Sequence, residues 1–187
     1  MPAGNKINNA ARPLLAAVLL LLACLGPVVG AHAEAAKENM VKAAFILNFA
    51  RFTEWPAEAL SDTDTTINLC VIGDQGLVSA FQSIDGKKIG KRKLHVRFPE
   101  QKKSLEKCHI LFIADSTPAS AEIITAVKGR PVLTIGDRTG FAEQDGVINF
   151  IIKEGKLRFE INRHNARLQG LTLSSRLLRL AILVGDK

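Results

Sequence analysis

The segment at residues 108–114 reads CHILFIA, is apolar at nearly every position and ends at Asp115. A second apolar run, INLCVI at residues 67–72, is closed in the same way by Gly73 and Asp74. Strands that are apolar on both faces are typical of the covered centre of a mostly parallel sheet. These two segments therefore predict the central strands of an α/β domain.

Helices and further strands are predicted on either side of these two segments. Residues 40–55 carry apolar side chains at three- and four-residue steps, which is typical of a helix with one buried stripe, and Pro56 ends it. The other predicted helices are residues 77–84, 118–127 and 171–184, the last with Ser174 or Ser175 as its N-cap. The other predicted strands are residues 94–98, 132–135, 147–152 and 157–161.

The last two of these strands are joined by only four residues, Lys153-Glu154-Gly155-Lys156. This spacing is typical of a hairpin, which adds antiparallel strands to an otherwise parallel sheet. The order of elements therefore predicts a three-layer α/β sandwich with a mixed, mostly parallel sheet and an antiparallel hairpin near the C-terminus.

The N-terminus has the order of features that a signal peptide requires. Lys6 and Arg12 precede an apolar run at residues 14–22, and Ala31-His32-Ala33 matches a small-x-small cleavage site. The apolar run is far shorter than the roughly 20 residues that a membrane-spanning helix needs. We therefore expect residues 1–33 to be a signal peptide and residues 34–187 to form one domain in the periplasm. The alternative is a lipoprotein acylated at Cys24, because Leu21-Leu22-Ala23-Cys24 resembles a lipoprotein cleavage box.

The chain is basic, with 25 Lys and Arg against 18 Asp and Glu and a formal net charge of +7. Two of the cations and none of the acidic residues lie within residues 1–33, so the mature domain carries +5. The basic residues form two groups, namely Lys87, Lys88, Lys91, Arg92 and Lys93, and Arg163, Arg167, Arg176 and Arg179. Basic groups suit nucleic acid, anionic lipid or acidic proteins. Export argues against nucleic acid, and a solvated surface is the favoured explanation of the lysine group.

Removal of residues 1–33 also removes Cys24 and leaves two cysteines, Cys70 and Cys108. In an oxidising compartment such an even pair indicates a disulfide rather than a metal site or a redox motif. The alternative is two buried thiols that act as small core residues. A bond that closes this loop would stabilise the fold by about 4 kcal/mol.

The positions of the cysteines within their predicted strands set a condition on this bond. Cys70 lies four residues before Asp74, whereas Cys108 lies seven residues before Asp115. If the strand ends are aligned, the sulfur atoms are offset by roughly 10 Å, which disulfide geometry does not tolerate. We therefore expect the two strands to be staggered if the bond forms. Whether the bond senses redox conditions or is a structural staple is left open.

The sequence lacks the motifs of common enzymes. It contains no G-x-S-x-G, H-E-x-x-H, phosphate loop or dinucleotide fingerprint, and the spacing of its histidines does not indicate a metal site. We therefore expect neither an enzyme nor a cofactor. The alternative function is a small-ligand-binding module, because Asp74, Asp115 and Asp137 follow predicted strands, where α/β sheets gather ligand groups. Aspartates at such positions also serve as turn formers or helix caps.

A series of short segments in the mature part of the chain stands in the order of a known family. Residues 42–56 read KAAFILNFARFTEWP, and LCVIG at 69–73 and CHILFI at 108–113 follow. The later segments are VLTI at 132–135, GF at 140–141, INF at 148–150, LRFEIN at 157–162 and LSSRLL at 173–178. Together these segments resemble the YfiR family of periplasmic regulators. DGVI at 145–148 departs from the expected Gly-Gly-Met-Ile-like turn, and the second cysteine pair of some members is missing.

The resemblance implies a non-enzymatic repressor that binds the periplasmic domain of an inner-membrane diguanylate cyclase. Through that enzyme the repressor would control cyclic di-GMP signalling and biofilm formation. An outer-membrane lipoprotein or a redox change in the periplasm would release it. Whether the repressor also forms a homodimer is left open.

Six residues are the predicted contacts with a partner protein. Arg51 and Trp55 close the first helix, where tryptophan beside arginine fits an interface anchor, although a core position is the alternative for Trp55. The other four are Arg163, His164, Arg176 and Arg179, which gather around the last helix. They suit an acidic partner or a small anion, and a solvated surface is the alternative of equal weight.

Overall fold

The structure is a computed structural model that describes residues 28–99, 102–118 and 120–185. The chain separates into two units, Met1–Ala35 and Ala36–Lys187. The basic residues and apolar run of the predicted signal peptide, and Cys24, lie outside the described residues. Within the described part, none of the helices combines the length and hydrophobicity that a membrane crossing requires.

The described chain contains five α-helices and ten strands. The helices are α1 Val28–Arg51, α2 Val78–Gln82, α3 Ser120–Val127, α4 Arg163–Leu168 and α5 Ser175–Leu180. The longer strands are β2 Thr66–Ile72, β4 Arg92–Arg97, β5 Ile110–Ile113, β6 Leu133–Gly136, β7 Ile148–Lys153 and β8 Lys156–Asn162. The short strands are β1 Thr53–Glu54, β3 Lys88–Ile89, β9 Thr172–Leu173 and β10 Ile182–Val184.

Eight of the described strands form one sheet in the order β10-β8-β7-β6-β5-β2-β4-β3. The neighbours are parallel except for the two pairs β7–β8 and β3–β4, which are antiparallel. Strands β1 and β9 pair separately in an antiparallel ladder. The mixed, mostly parallel sheet and the hairpin near the C-terminus are thus confirmed.

Apolar side chains cover both faces of the central strand β5. Ile110 and Phe112 belong to the larger hydrophobic cluster, while Leu111 and Ile113 belong to a second one. Alternate residues of a strand point to opposite faces, so the sheet separates the two clusters. This burial explains the continuous apolar run in the sequence and supports the three-layer arrangement, which stays a prediction.

Helix α1 packs on the larger cluster through the apolar stripe that the sequence predicts. The rings of Phe45 and Phe49 lie 5.7 and 4.9 Å from that of Phe159 in the hairpin. The helix ends at Arg51 rather than at residue 55. It ends early because the following residues form β1 and pair with β9.

The single helix predicted at residues 171–184 is wrong. The segment divides into β9, the six-residue helix α5 and β10, which lies parallel to β8 at the edge of the sheet. Ser174 is the N-cap, as predicted, and its side chain accepts a hydrogen bond from the Leu177 backbone N–H. Helix α5 ends at Leu180, and the backbone of its C-cap residue Ala181 is extended (φ −91°, ψ 155°). Pairing with β8 therefore replaces the last predicted helical turn.

Candidate functional site

A disulfide joins Cys70 of β2 to Cys108, which precedes β5, with the two Cα atoms 5.7 Å apart. Both cysteines are buried in the second hydrophobic cluster beside Leu105 and Leu111. The structure thus contains the predicted bond rather than two separate thiols.

The expected stagger of the two strands is wrong. In the parallel ladder Cys70 lies opposite Leu111, and Ile72 lies opposite Ile113, so the strand ends are aligned. Cys108 reaches Cys70 because it lies outside the strand. Its backbone N–H donates to the Leu105 carbonyl at 3.1 Å, in a turn that leaves the ladder.

His109, the residue after this cysteine, makes hydrogen bonds through both ring nitrogens. Its Nδ1 accepts the Asn68 backbone N–H at 2.9 Å, and its Nε2 lies 3.2 Å from the Ala59 carbonyl. A ring nitrogen that accepts a hydrogen bond carries no proton, so Nε2 holds the proton and donates to Ala59. Burial lowers the pKa of His109, and the hydrogen bond to Ala59 only partly opposes this effect. The ring is therefore neutral at pH 7.

Trp55 and Arg51 line one pocket of about 440 Å³ at the C-terminal end of α1. The Trp55 Nε1 donates to the His109 carbonyl at 3.2 Å, and its partly buried ring packs against the larger cluster. Arg51 is exposed and donates to Asn48 Oδ1 at 3.1 Å. Trp55 therefore combines a core contact with a place on the pocket wall. The other residues that line the pocket include Glu54, Leu60, Asp62, Ile67, Ile89 and Arg92.

The four basic residues near the C-terminus lie on two short helices. Arg163 and His164 are the first residues of α4, while Arg176 and Arg179 are exposed on α5. A groove of about 290 Å³ lies here, and it is lined by Arg163, Ala166, Arg167, Leu171, Thr172, Leu173 and Leu178. Its walls therefore combine apolar side chains with the two arginines Arg163 and Arg167.

The β1–β9 ladder connects these two regions. Thr53 pairs with Leu173, and the Ser174 backbone N–H donates to the Phe52 carbonyl at 2.9 Å. The end of α1, which carries Arg51, is thus tied to the start of α5, which carries Arg176. Sequence reasoning missed this link, because strands of two residues leave no periodic signal.

Asp74, Asp115 and Asp137 gather at the carboxyl edge of the sheet. The Asp137 Oδ1 accepts the Asp115 backbone N–H at 2.6 Å. Asp74 accepts the Gly76 N–H at 2.9 Å as a helix cap, and the Ser116 hydroxyl at 3.3 Å. Asp74 and Asp137 thus form the turn and cap contacts that such positions commonly provide.

Lys42 of α1 reaches this edge, which sequence reasoning did not anticipate. Its side chain is buried, with 7% of the residue exposed, and its Nζ lies 2.7 Å from both Asp137 and Glu38. Burial by itself lowers the pKa of Lys42, but the hydrogen bonds and charges of the two carboxylates outweigh it and raise the pKa. A pocket of about 400 Å³ adjoins the three side chains and is also lined by Glu143 and Glu160.

The described residues contain no cluster of three or more His, Cys, Asp and Glu side chains that could hold a metal ion.

The fold and these surfaces define a disulfide-bonded α/β domain with a tryptophan-lined pocket and an arginine-rich groove. The chain belongs to the YfiR/HmsC-like family, whose model matches residues 39–182. This family is periplasmic and regulatory rather than catalytic. No curated protein is significantly similar to the chain.

Proposed function

We propose that the protein represses an inner-membrane diguanylate cyclase by binding the periplasmic domain of that enzyme. Repression would lower cyclic di-GMP in the cytoplasm and oppose biofilm formation, without catalysis by the repressor itself. Family membership supports the regulatory role. The observation that carries the proposed contact is the β1–β9 ladder, which ties the tryptophan-lined pocket to the arginine-rich region.

The arginine-rich region points to an acidic partner. From residue 161 to residue 185 the chain contains four arginines and a histidine and lacks Asp and Glu. Complementary charge speeds association and disfavours wrong partners more than it adds affinity. We therefore assign Arg163, His164, Arg176 and Arg179 to the recognition of acidic side chains on the cyclase.

Arg51 and Trp55 are the proposed anchors of the same complex. Tryptophan and arginine are enriched among the residues that dominate binding energy, particularly where a pocket excludes water. The hydrogen bond to His109 holds the Trp55 ring in place before binding. A fixed ring loses little conformational entropy on association.

The release of the cyclase is proposed to involve an outer-membrane lipoprotein or the redox state of the periplasm. The buried position of the disulfide favours a structural staple, because a reductant must reach sulfur atoms that lie in a hydrophobic cluster. We assign no homodimer contact.

A pull-down of the tagged protein from membranes of its own organism tests the function. The expected result is co-purification of a membrane protein with a cytoplasmic cyclase domain. Recovery of a small molecule without any protein would instead favour the alternative function, a ligand-binding module. The pocket beside Lys42, at the carboxyl edge of the sheet, is the place for such a ligand.

Two charge-reversal variants test the assigned surface. Arg176→Glu with Arg179→Glu should weaken the complex roughly tenfold or more, which corresponds to about 1.4 kcal/mol. Lys87→Glu with Lys93→Glu is the matched control, since it changes the charge equally at exposed positions of the other basic group. Equal loss of binding in both variants would indicate a response to net charge and refute the assigned surface.

A further inference from the structure

His109 connects three parts of the fold through its backbone and its ring. Its backbone N–H donates to the Asn68 carbonyl at 2.9 Å, and its carbonyl accepts the Leu133 N–H at 2.9 Å and the indole N–H of Trp55. Its ring bridges the Asn68 N–H and the Ala59 carbonyl. His109 therefore bonds to both Trp55 and Ala59, and it ties the two ends of this segment to the β2–β5 pair.

The bridge requires a neutral ring. A protonated imidazole carries a hydrogen on both nitrogens, and it accepts no hydrogen bond. The added proton on Nδ1 would point at the Asn68 N–H, so two donors would face each other across 2.9 Å. The ring has to turn away from Asn68, and that rotation also moves Nε2 away from the Ala59 carbonyl.

Two charged groups act on the ring. The carboxylate of Asp64 favours its protonation, whereas the guanidinium of Arg92 opposes it. Strand β2, which supplies Asn68, carries no charged side chain. Asp64 is itself engaged, because its Oδ2 accepts the Ser61 N–H at 2.6 Å and the Ser61 hydroxyl at 2.9 Å. In the structure no hydrogen bond or ion pair joins Asp64 to the ring, so its effect on His109 is a longer-range charge effect.

We propose that His109 is a pH-sensitive latch, which holds the Ala59 end of the segment from Trp55 to Ala59 against the sheet while its ring is neutral and releases that end on protonation. Release moves the wall of the pocket that Trp55, Ala57 and Leu60 line. In consequence, acidification of the medium weakens the binding of the cyclase. This last consequence alone rests on the proposed function.

The fluorescence of Trp55 reports the latch directly, because the chain contains one tryptophan and no tyrosine. Titration of the protein alone from pH 8 to pH 5 should change the emission, with a midpoint below about 6.5. In His109→Asn the amide oxygen can accept the Asn68 N–H but does not titrate, so its emission should stay constant. His164→Asn, at an exposed position, is the control and should titrate like the unmodified protein. Constant emission in the unmodified protein, or the same titration in His109→Asn, would overturn the proposal.

Nitrogen-15 NMR of the unmodified protein tests the same point without a variant. At pH 8 the ring of His109 should be neutral with its proton on Nε2, and protonation should shift the amide signals of residues 55–61 and 68. A proton on Nδ1 at pH 8 would overturn the latch. Both measurements use the protein without a partner, so a failed pull-down leaves the latch standing. Conversely, failure of the latch leaves the repressor proposal standing.

Discussion

Cys108 is bonded to Cys70 although the ladder places Cys70 opposite Leu111, three residues further along the chain. The turn before β5 makes this possible, because it carries Cys108 off the strand and onto one face of the sheet. The disulfide therefore links strand β2 of the sheet to the turn that precedes β5.

The first prediction concerns the loss of this bond. The cysteines are 38 positions apart, so Cys70→Ser with Cys108→Ser should lower the free energy of unfolding by about 4 kcal/mol. Urea denaturation of both proteins, with and without reductant, measures the difference. If the bond is only a staple, the variant binds its partner with unchanged affinity under conditions where it is folded. A changed affinity at full folding would instead favour a redox sensor.

The second prediction concerns Lys42. Lys42→Met removes the cation from a buried ion pair and leaves Asp137 without its partner, which should cost about 3 kcal/mol of stability. The double variant with Asp137→Asn should recover most of the loss, since the remaining carboxylate, Glu38, is 40% exposed and is solvated by water. Thermal unfolding at pH 7 measures both. Equal stability of the single and double variants would contradict the assignment.

The pH dependence of the same pair follows from the raised pKa of Lys42. A folded-state pKa above the unfolded value means that the contribution is complete below pH 10 and is lost as pH rises through the folded value. The stability difference between the unmodified protein and Lys42→Met should therefore be constant from pH 7 to pH 9 and shrink at higher pH. Urea denaturation across this range measures it.

The third prediction is the corresponding effect of His109 on stability at low pH. Its folded-state pKa is lowered, so its contribution is complete above the unfolded value of about 6.5. The contribution is lost as pH falls through the folded value. The variant His109→Asn should not lose this contribution to stability as the pH falls. If both proteins lose equal stability between pH 7 and pH 5, other groups are responsible.

The fourth prediction concerns Gly136 at the end of β6. A Cβ atom at this position would lie 2.6 Å from the Phe141 ring, which is fully buried. Gly136→Ala should therefore lower stability by about 2 kcal/mol through overpacking. Phe141→Leu in the same chain makes room and should offset part of the loss, relative to Phe141→Leu alone. Additive losses would show that the ring is not the obstacle.

The sequence predicts those parts of the fold whose signal is local. The apolar runs at residues 67–72 and 108–114 read as strands because both faces of the sheet are covered. By contrast, residues 171–184 carry apolar residues at helical spacing, yet β9 and β10 form there because remote strands pair with them. Helix α4 was missed, since six mostly polar residues are too short for a periodic pattern.

In the candidate site, too, the sequence indicates only those features that have a local signal. The cysteine pair is visible from its number and compartment. Arg51 and Trp55 stay predicted contacts, and Trp55 follows β1 rather than the end of α1. Lys42 and His109 are not visible, because their partners lie 95 and 50 positions away in the chain. Only the folded sheet brings these groups together.

The β1–β9 ladder joins Thr53 to Leu173, 120 positions later in the chain. Contacts of such long range slow folding, because the entropy of closing a long loop is lost before the contact can stabilise the chain. Strand β1, which follows α1, therefore cannot pair with β9 until nearly all of the polypeptide is present in one compartment.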